Sequence, residues 1–134
     1  MNELIVVHNI GRSCPYCTMW ADGFNGIVNH LENRAGFVVI SPSPPEIQKE
    51  FAASHNWKFQ LLPGHGTSFI EDIGFKTGEG GYMPGVSAFV RDKGGNLFRV
   101  NKNPFGPGDN YSGTWHLLDL LPEGSNDWQP KFSY

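Results

Sequence analysis

The apolar pattern of the N-terminal third constrains the fold more than any other feature of the sequence. Residues 4–8 and 36–41 are short apolar runs rich in β-branched side chains, which predicts two buried strands. Between them, apolar residues recur at steps of three and four, as they do on one face of a helix. Those residues are Cys17, Trp20, Ala21, Phe24, Ile27, Val28 and Leu31. The chain therefore begins with a predicted β–α–β unit.

A second helix is expected directly after the second strand. Ser43 followed by Pro44 is typical of a helix start, with Ser43 as the N-cap and Pro44 in the first helical position. This helix should run to about residue 54 and bury Ile47 and Phe51.

The second half of the chain predicts a loop, a hairpin and a last helix. Residues 61–85 are rich in glycine and show no period, so they are expected to form a loop. Residues 86–91 and 96–100 flank an Asp-Lys-Gly-Gly turn, which is a strong hairpin signal. A short apolar segment over residues 114–121 predicts the last helix.

This order of elements predicts an α/β fold with a central mixed sheet flanked by helices. The length of 134 residues suits one domain over residues 1–134, with residues from about 123 to 134 as a surface tail. A net charge of −3 gives no reason to expect binding to nucleic acid or to an anionic membrane. Residues 1–10 lack the basic and apolar regions of a signal peptide, and no stretch is as apolar as a spanning helix. We therefore expect a cytoplasmic protein.

The only two cysteines, Cys14 and Cys17, stand three positions apart where the first strand passes into its helix. Backbone N–H groups at a helix start stabilise an anion, so Cys14 should ionise more readily than an ordinary thiol. Arg12, two residues earlier, should add positive potential. Cys17 lies one turn further along on the apolar face, where its pKa should stay higher. This asymmetry favours Cys14 as an attacking thiolate and Cys17 as a resolving thiol.

Other interpretations of the pair remain open at this point. Two buried thiols without chemistry are one alternative, and a metal site is another, although a zinc site would need two more ligands and no second spaced pair is present. His8, at the end of the first strand, could approach Cys14 and assist proton transfer. Tyr16, between the cysteines, is expected to be exposed and to contact an incoming substrate.

Three blocks of the sequence resemble a known family. The tetrapeptide Cys14-Pro15-Tyr16-Cys17 is typical of glutaredoxins, and the order of elements resembles the thioredoxin fold. The block from residue 14 to 26, with V-S-A-F-V-R-D at 86–92 and G-T-W-H-L-L-D-L-L-P at 113–122, is similar to a bacterial thioredoxin-like family catalogued as a domain of unknown function. The resemblance implies a thioredoxin-like fold. It also implies that Pro84 follows a cis peptide bond and faces the cysteines, where it would support the substrate.

The residues and the resemblance together predict a thiol–disulfide oxidoreductase that needs no bound cofactor. Protein disulfides and low-molecular-weight disulfides, glutathione among them, are the expected substrates, and a reductase or glutathione is the expected electron donor. A thioredoxin-fold binding or adaptor module is the alternative from another class. A peroxidase is a third, but peroxidatic sites usually place Thr and Pro ahead of the cysteine, and residues 11–13 are Gly-Arg-Ser.

Overall fold

A computed structural model describes residues 2–134 of the chain. The predicted strands and helices appear in the predicted order, and two short elements are added in the segment expected to be a loop. In chain order the elements are β1 (Glu3–His8), α1 (Pro15–Arg34), β2 (Gly36–Ser41), α2 (Pro45–His55), β3 (Gln60–Pro63), α3 (Phe69–Asp72), β4 (Gly85–Arg91), β5 (Leu97–Pro104) and α4 (Gly113–Leu118).

Five strands form one mixed sheet in the order β3-β2-β1-β4-β5. The β1–β2 and β2–β3 pairs are parallel, whereas β4 runs antiparallel to both β1 and β5. Parallel neighbours require a crossover connection, which α1 and α2 provide. The predicted α/β fold with a central mixed sheet is confirmed. Because β1 and β4 are antiparallel neighbours, the carboxyl end of β1 and the start of β4 lie side by side at one end of the sheet's strands.

Helix α1 is continuous over 20 residues, and Cys14 is its N-cap. Pro15 occupies the first position, where a missing N–H costs no helical hydrogen bond. Gly23 and Gly26 weaken a helix intrinsically, yet both lie on its exposed side, and most of the apolar side, apart from exposed Ile27, is buried against the sheet. Tertiary packing of that face therefore maintains the helix through both glycines.

Helix α2 begins one residue later than predicted. Its N-cap is Pro44 rather than Ser43, and no side chain caps it. Ile47 and Phe51 are only half-buried, whereas Gln48 is buried and donates hydrogen bonds to the carbonyls of Ser41 (2.8 Å) and Ser43 (3.0 Å). A buried amide thus ties the start of α2 to the end of β2, which is a long-range contact that the local pattern does not encode.

Strand β3, apart from its first residue, and helix α3 lie in the segment predicted as loop, so that prediction was wrong for residues 61–63 and 69–72. β3 is a short edge strand without alternating burial, and it therefore carries no period-two signal. Helix α4 ends at Leu118, three residues before the predicted end. Beyond it, Trp128 packs against the core and Pro130 is buried, so the predicted surface tail is partly anchored.

The sheet separates two apolar clusters. Val7 belongs to the cluster that includes Cys17, Trp20 and other side chains of α1. Val6, its neighbour on β1, belongs to the other cluster, which includes Phe75. Successive residues of a strand point to opposite faces, so the face that a β1 side chain occupies follows from its position in the strand.

Candidate redox site

Cys14 sits at the junction of the β1–α1 turn and the helix. Its sulfur accepts a hydrogen bond from the backbone N–H of Cys17 at 3.1 Å, and the side chain is half-buried. Its carbonyl accepts bonds from the backbone N–H and the hydroxyl of Thr18, both at 3.1 Å. A cysteine sulfur therefore occupies the capping position that Ser, Thr or Asp usually fills, and it remains within reach of solvent.

Cys17 is one turn further along and only 2% exposed. Its sulfur accepts a hydrogen bond from the backbone N–H of Ile10 at 3.5 Å, and its carbonyl accepts one from the Asn9 side chain at 3.4 Å. Both cysteines are free thiols. The pair thus combines one accessible sulfur with one sulfur held inside the core.

The two thiols differ strongly in acidity. The pKa of Cys14 is lowered from 9.0 to about 7, chiefly by a hydrogen bond with the Cys17 side chain and further by the backbone N–H groups of Cys17 and Tyr16. The pKa of Cys17 is raised, chiefly by its hydrogen bond with the Cys14 side chain and secondly by burial. The predicted order of acidity is confirmed. The exposed guanidinium of Arg12 is not among the causes, so that part of the prediction was wrong.

The turn before Cys14 has a fixed shape that sequence reasoning missed. The Asn9 side chain accepts a hydrogen bond from the Gly11 N–H at 2.7 Å. Gly11 has φ +114°, and a Cβ there would lie 2.4 Å from the Ser43 hydroxyl, so only glycine fits. Asn followed by Gly two residues later is a turn signal that could have indicated this geometry. The turn brings the Ile10 N–H to the Cys17 sulfur.

Tyr16 is half-buried rather than exposed, which corrects the prediction. Its ring lies 6.2 Å from that of Trp115 and 6.3 Å from that of Trp20, measured between centroids. The tyrosine is therefore part of an aromatic cluster with two buried tryptophans. Trp115 lies in the segment predicted as the last helix, and no local pattern linked it to the site.

His8 does not lie with the cysteines. It occupies the same face of β1 as Val6, donates or accepts a 2.9 Å hydrogen bond with the Ser87 hydroxyl, and stacks on Phe75 with ring centroids 3.8 Å apart. Burial, and secondarily the charge of Arg99, lower the pKa of His8 to about 4. A histidine held in this way is a neutral core residue at pH 7, which does not support the predicted proton transfer with Cys14.

Pro84 immediately precedes β4, at the sheet edge where β1 ends. The predicted cis bond before it is wrong, since residues 2–134 contain no cis peptide bond. On either side of this bond, the Met83 N–H donates to the Phe75 carbonyl at 2.9 Å and the Pro84 carbonyl accepts from the Phe105 N–H at 3.0 Å. The proline keeps its predicted topological place with a trans bond.

Within the described part of the chain, no group of three or more His, Cys, Asp and Glu side chains is arranged to hold a metal ion. In the same residues, no helix has the length and apolar character needed to cross a membrane.

The model of a family described as bacterial protein of unknown function (DUF899) matches residues 3–133. The chain belongs to the DUF899 family. This confirms the resemblance seen in the sequence blocks. No curated protein matches this DUF899 sequence.

Several solved structures share the fold of this DUF899 protein. Peroxiredoxin Q from Xanthomonas campestris is 15% identical, with a TM-score of 0.61 over 75% of this chain and 69% of that one. Reduced Prx3 in complex with hydrogen peroxide, from Vibrio vulnificus, is 16% identical, with a TM-score of 0.60 over 81% and 72% of the two chains. Peroxidoxin BcpB from Mycobacterium tuberculosis is 25% identical, with a TM-score of 0.56 over 76% and 67%. The thioredoxin-like fold is thereby confirmed.

Proposed function

We propose that this DUF899 protein is a thiol–disulfide oxidoreductase in which Cys14 attacks and Cys17 resolves. The observation that carries the proposal is the 3.1 Å hydrogen bond from the Cys17 N–H to the Cys14 sulfur at the start of a 20-residue helix. It stabilises a thiolate on the half-buried cysteine, while the second thiol is held one turn away inside the core. Both properties are what a dithiol catalyst requires.

The reaction proceeds in two displacements. The Cys14 thiolate attacks one sulfur of the substrate disulfide, the substrate S–S bond breaks, and the other sulfur leaves as a thiolate. Cys17 then loses its proton and attacks the Cys14 sulfur. This forms the Cys14–Cys17 disulfide and releases the first substrate sulfur as a second thiolate. Two electrons pass from the protein to the substrate, and a reductase or glutathione supplies them again.

The raised pKa of Cys17 suits the order of these steps. The Cys14 side chain is its largest cause, and a Cys14 sulfur bonded to substrate carries no charge and no longer raises it. The Ile10 N–H, 3.5 Å from the Cys17 sulfur, remains to stabilise the developing thiolate. The departing substrate thiolate can accept the proton. His8 has no part in this transfer, because its hydrogen bond is to Ser87.

The surroundings of Cys14 supply the proposed substrate contacts. Arg12 is exposed and precedes Cys14, and half-buried Tyr16 stands between the two cysteines. Half-buried Pro84 precedes β4, at the end of the sheet where β1 finishes and the cysteine turn begins. We assign them contacts with a protein or low-molecular-weight disulfide, glutathione included. The mechanism needs no bound cofactor, and a dithiol kept ready to reduce disulfides suits the reducing cytoplasm.

Alkylation of the reduced protein tests the assignment of the two thiols. Between about pH 5 and 9, iodoacetamide should modify Cys14 first, with a midpoint near the pKa of about 7, while Cys17 stays unmodified. Peptide mass spectrometry identifies the modified residue. Cys14→Ser should abolish reduction of 2-hydroxyethyl disulfide, and Cys17→Ser should accumulate a mixed disulfide on Cys14. Ser13→Ala, an exposed neighbour, is the control and should behave as wild type.

Equal and slow alkylation of both thiols, with no disulfide reduction by the wild type, would contradict the proposal. That result would favour the alternative of a thioredoxin-fold binding module whose cysteines carry out no chemistry.

Peroxide reduction is a second candidate, favoured by the similarity in fold to a protein solved with hydrogen peroxide. The Cys14 thiolate would attack one peroxide oxygen, the O–O bond would break, and water or an alcohol would leave. Cys17 would then condense with the sulfenic acid, forming the disulfide and releasing water. In Cys17→Ser the sulfenic acid would accumulate after peroxide and react with dimedone. If that adduct does not form while the wild type still reduces disulfides, peroxide reduction is excluded and disulfide reduction is retained.

A further inference from the structure

Tyr16, which stands between the two cysteines in the chain, lines a cavity of about 280 Å³ that we call the aromatic pocket. Its walls include Tyr16 from the first turn of α1, Trp115 from α4, Trp128 from the C-terminal segment and Asp119, the C-cap of α4. The start of α1 and the C-terminal part of the chain, about 100 residues apart, thus bring three aromatic rings and one carboxylate to a single cavity. Tyr16 stands two positions after Cys14 in the chain and so connects the pocket to the redox site.

The three rings that line the pocket pack against one another. Tyr16 and Trp115 are stacked with centroids 6.2 Å apart, and Trp128 meets Trp115 in a T-shaped contact at 6.3 Å. Aromatic faces carry negative quadrupole density, so rings that wall a cavity attract a cation placed among them. A quaternary or alkyl ammonium group is well suited to such a site, because it binds the faces without needing a directed hydrogen bond.

The charge of the pocket favours the same ligand. Of the described residues that line it, Asp119 alone is charged, and the lining contains no Lys, Arg or His. An anionic ligand would meet a carboxylate and three electron-rich faces, whereas a cationic ligand would find its counter-charge at the rim. The net charge of the whole chain, −3, acts in the same direction over longer range.

We propose that the aromatic pocket binds the cationic, ammonium-bearing part of the disulfide substrate and thereby selects cationic disulfides for Cys14. The assignment of this ligand as a substrate rests on the proposed redox function, but binding of a cation to the pocket can be measured without any reaction. Tyr16, Trp115 and Trp128 supply the aromatic faces, and Asp119 supplies the counter-charge.

Binding is tested first with a pair of probes that lack sulfur. Choline and 3,3-dimethyl-1-butanol have the same shape, and only choline is charged. Choline should bind about 5- to 30-fold more tightly, as cation–π attraction predicts. In NMR titrations the indole N–H signals of Trp115 and Trp128 should shift. That of Trp57 should not, because its N–H group donates to Asp22, outside the pocket.

Variants separate charge from aromatic character. Asp119→Asn should weaken choline binding by about 2- to 5-fold, as expected for a solvent-exposed ion pair. Asp127→Asn makes the same change at an exposed position outside the pocket and should have no effect. Trp128→Leu should remove most of the preference for choline over its neutral isostere, and Trp128→Phe should restore part of it.

Substrate selection is tested with three small disulfides of similar length: cystamine, which is cationic, 2-hydroxyethyl disulfide, which is neutral, and dithiodiglycolate, which is anionic. The wild type should show the highest kcat/KM for cystamine, by about 5-fold or more over the neutral disulfide. Trp128→Leu should lower this ratio toward one without abolishing reduction of the neutral disulfide.

The outcomes distinguish the two proposals. Equal affinity for choline and its isostere overturns the cation site, whatever the enzyme assays show. Choline binding without preference for cystamine overturns the assignment of the site to the substrate. Choline binding in a protein that reduces none of the three disulfides overturns the redox function, and with it substrate selection, and leaves a cation-binding module.

Discussion

His8 should make the protein markedly less stable in acid. The imidazole is 2% exposed, one of its nitrogens bonds Ser87, and its Nδ1 has no hydrogen-bond partner among the described residues. Burial, assisted by the charge of Arg99, lowers its pKa from 6.5 to about 4. The unfolded chain takes up a proton on this side chain below pH 6.5, whereas the folded chain does so only near pH 4.

The sign and size of the effect follow from that difference. Because the unfolded state binds the additional proton, the free energy of unfolding falls as the pH falls from 6.5 toward 4, and the stabilisation is complete only above 6.5. A difference of that size in pKa corresponds to about 3 kcal/mol, at about 1.4 kcal/mol per unit. This is a large share of the stability of a small domain.

Urea unfolding at pH 7 and pH 4 measures the effect. His8→Gln keeps a polar group near Ser87 but does not titrate, so its loss of stability between the two pH values should be smaller than that of wild type by about 3 kcal/mol. Comparing each protein with itself at pH 7 removes the cost of the substitution. His30→Gln, at an exposed position of α1, should lose as much as wild type.

An NMR titration of the imidazole gives a second measurement, and its midpoint should lie near pH 4. A midpoint near 6.5, or equal acid losses in wild type and His8→Gln, would refute the reasoning. Either result would mean that the imidazole is hydrated or protonated in the folded state.

Two further predictions concern the site and the sheet edge. Cys17→Ala removes the largest cause of the low Cys14 pKa, so the midpoint of Cys14 alkylation should move from about 7 toward 9.0. Alkylation near pH 6 should then slow about tenfold. An unchanged midpoint would show that backbone N–H groups alone stabilise the thiolate. Gly85→Ala would place a Cβ 2.3 Å from the Phe75 ring and 2.6 Å from the Asn103 carbonyl, and urea unfolding should show a loss of about 1 to 3 kcal/mol or more. Gly23→Ala, where a Cβ would meet nothing within 4 Å, should instead stabilise α1 by about 0.5 to 1 kcal/mol, and equal effects at the two glycines would contradict the steric argument.

The local sequence determined the main elements and the reactive end of the site. The apolar runs of the two strands and the period of α1 are properties of neighbouring residues, so the predicted β1 and β2 agree with the structure to within a residue, and the apolar positions predicted for the helix, residues 17–31, all fall within α1. Cys14 is the N-cap of α1, and Cys17 lies one turn further along on the buried side of the helix. The difference in acidity between the two thiols follows from these two positions. Backbone N–H groups at a helix start need no tertiary contact to act on a sulfur.

Only the tertiary structure decided where the other side chains considered for the site lie. His8 was expected near Cys14, but its position in β1 turns it to the opposite face, against Phe75. β3 exists as a strand because β2 offers it a pairing edge, although its own residues show no period. The aromatic pocket joins residues about 100 positions apart in the chain, Tyr16 with Trp115 and Trp128. The meeting of these residues depends on how α1, α4 and the C-terminal segment pack together. The spacing of residues within one segment does not predict such packing.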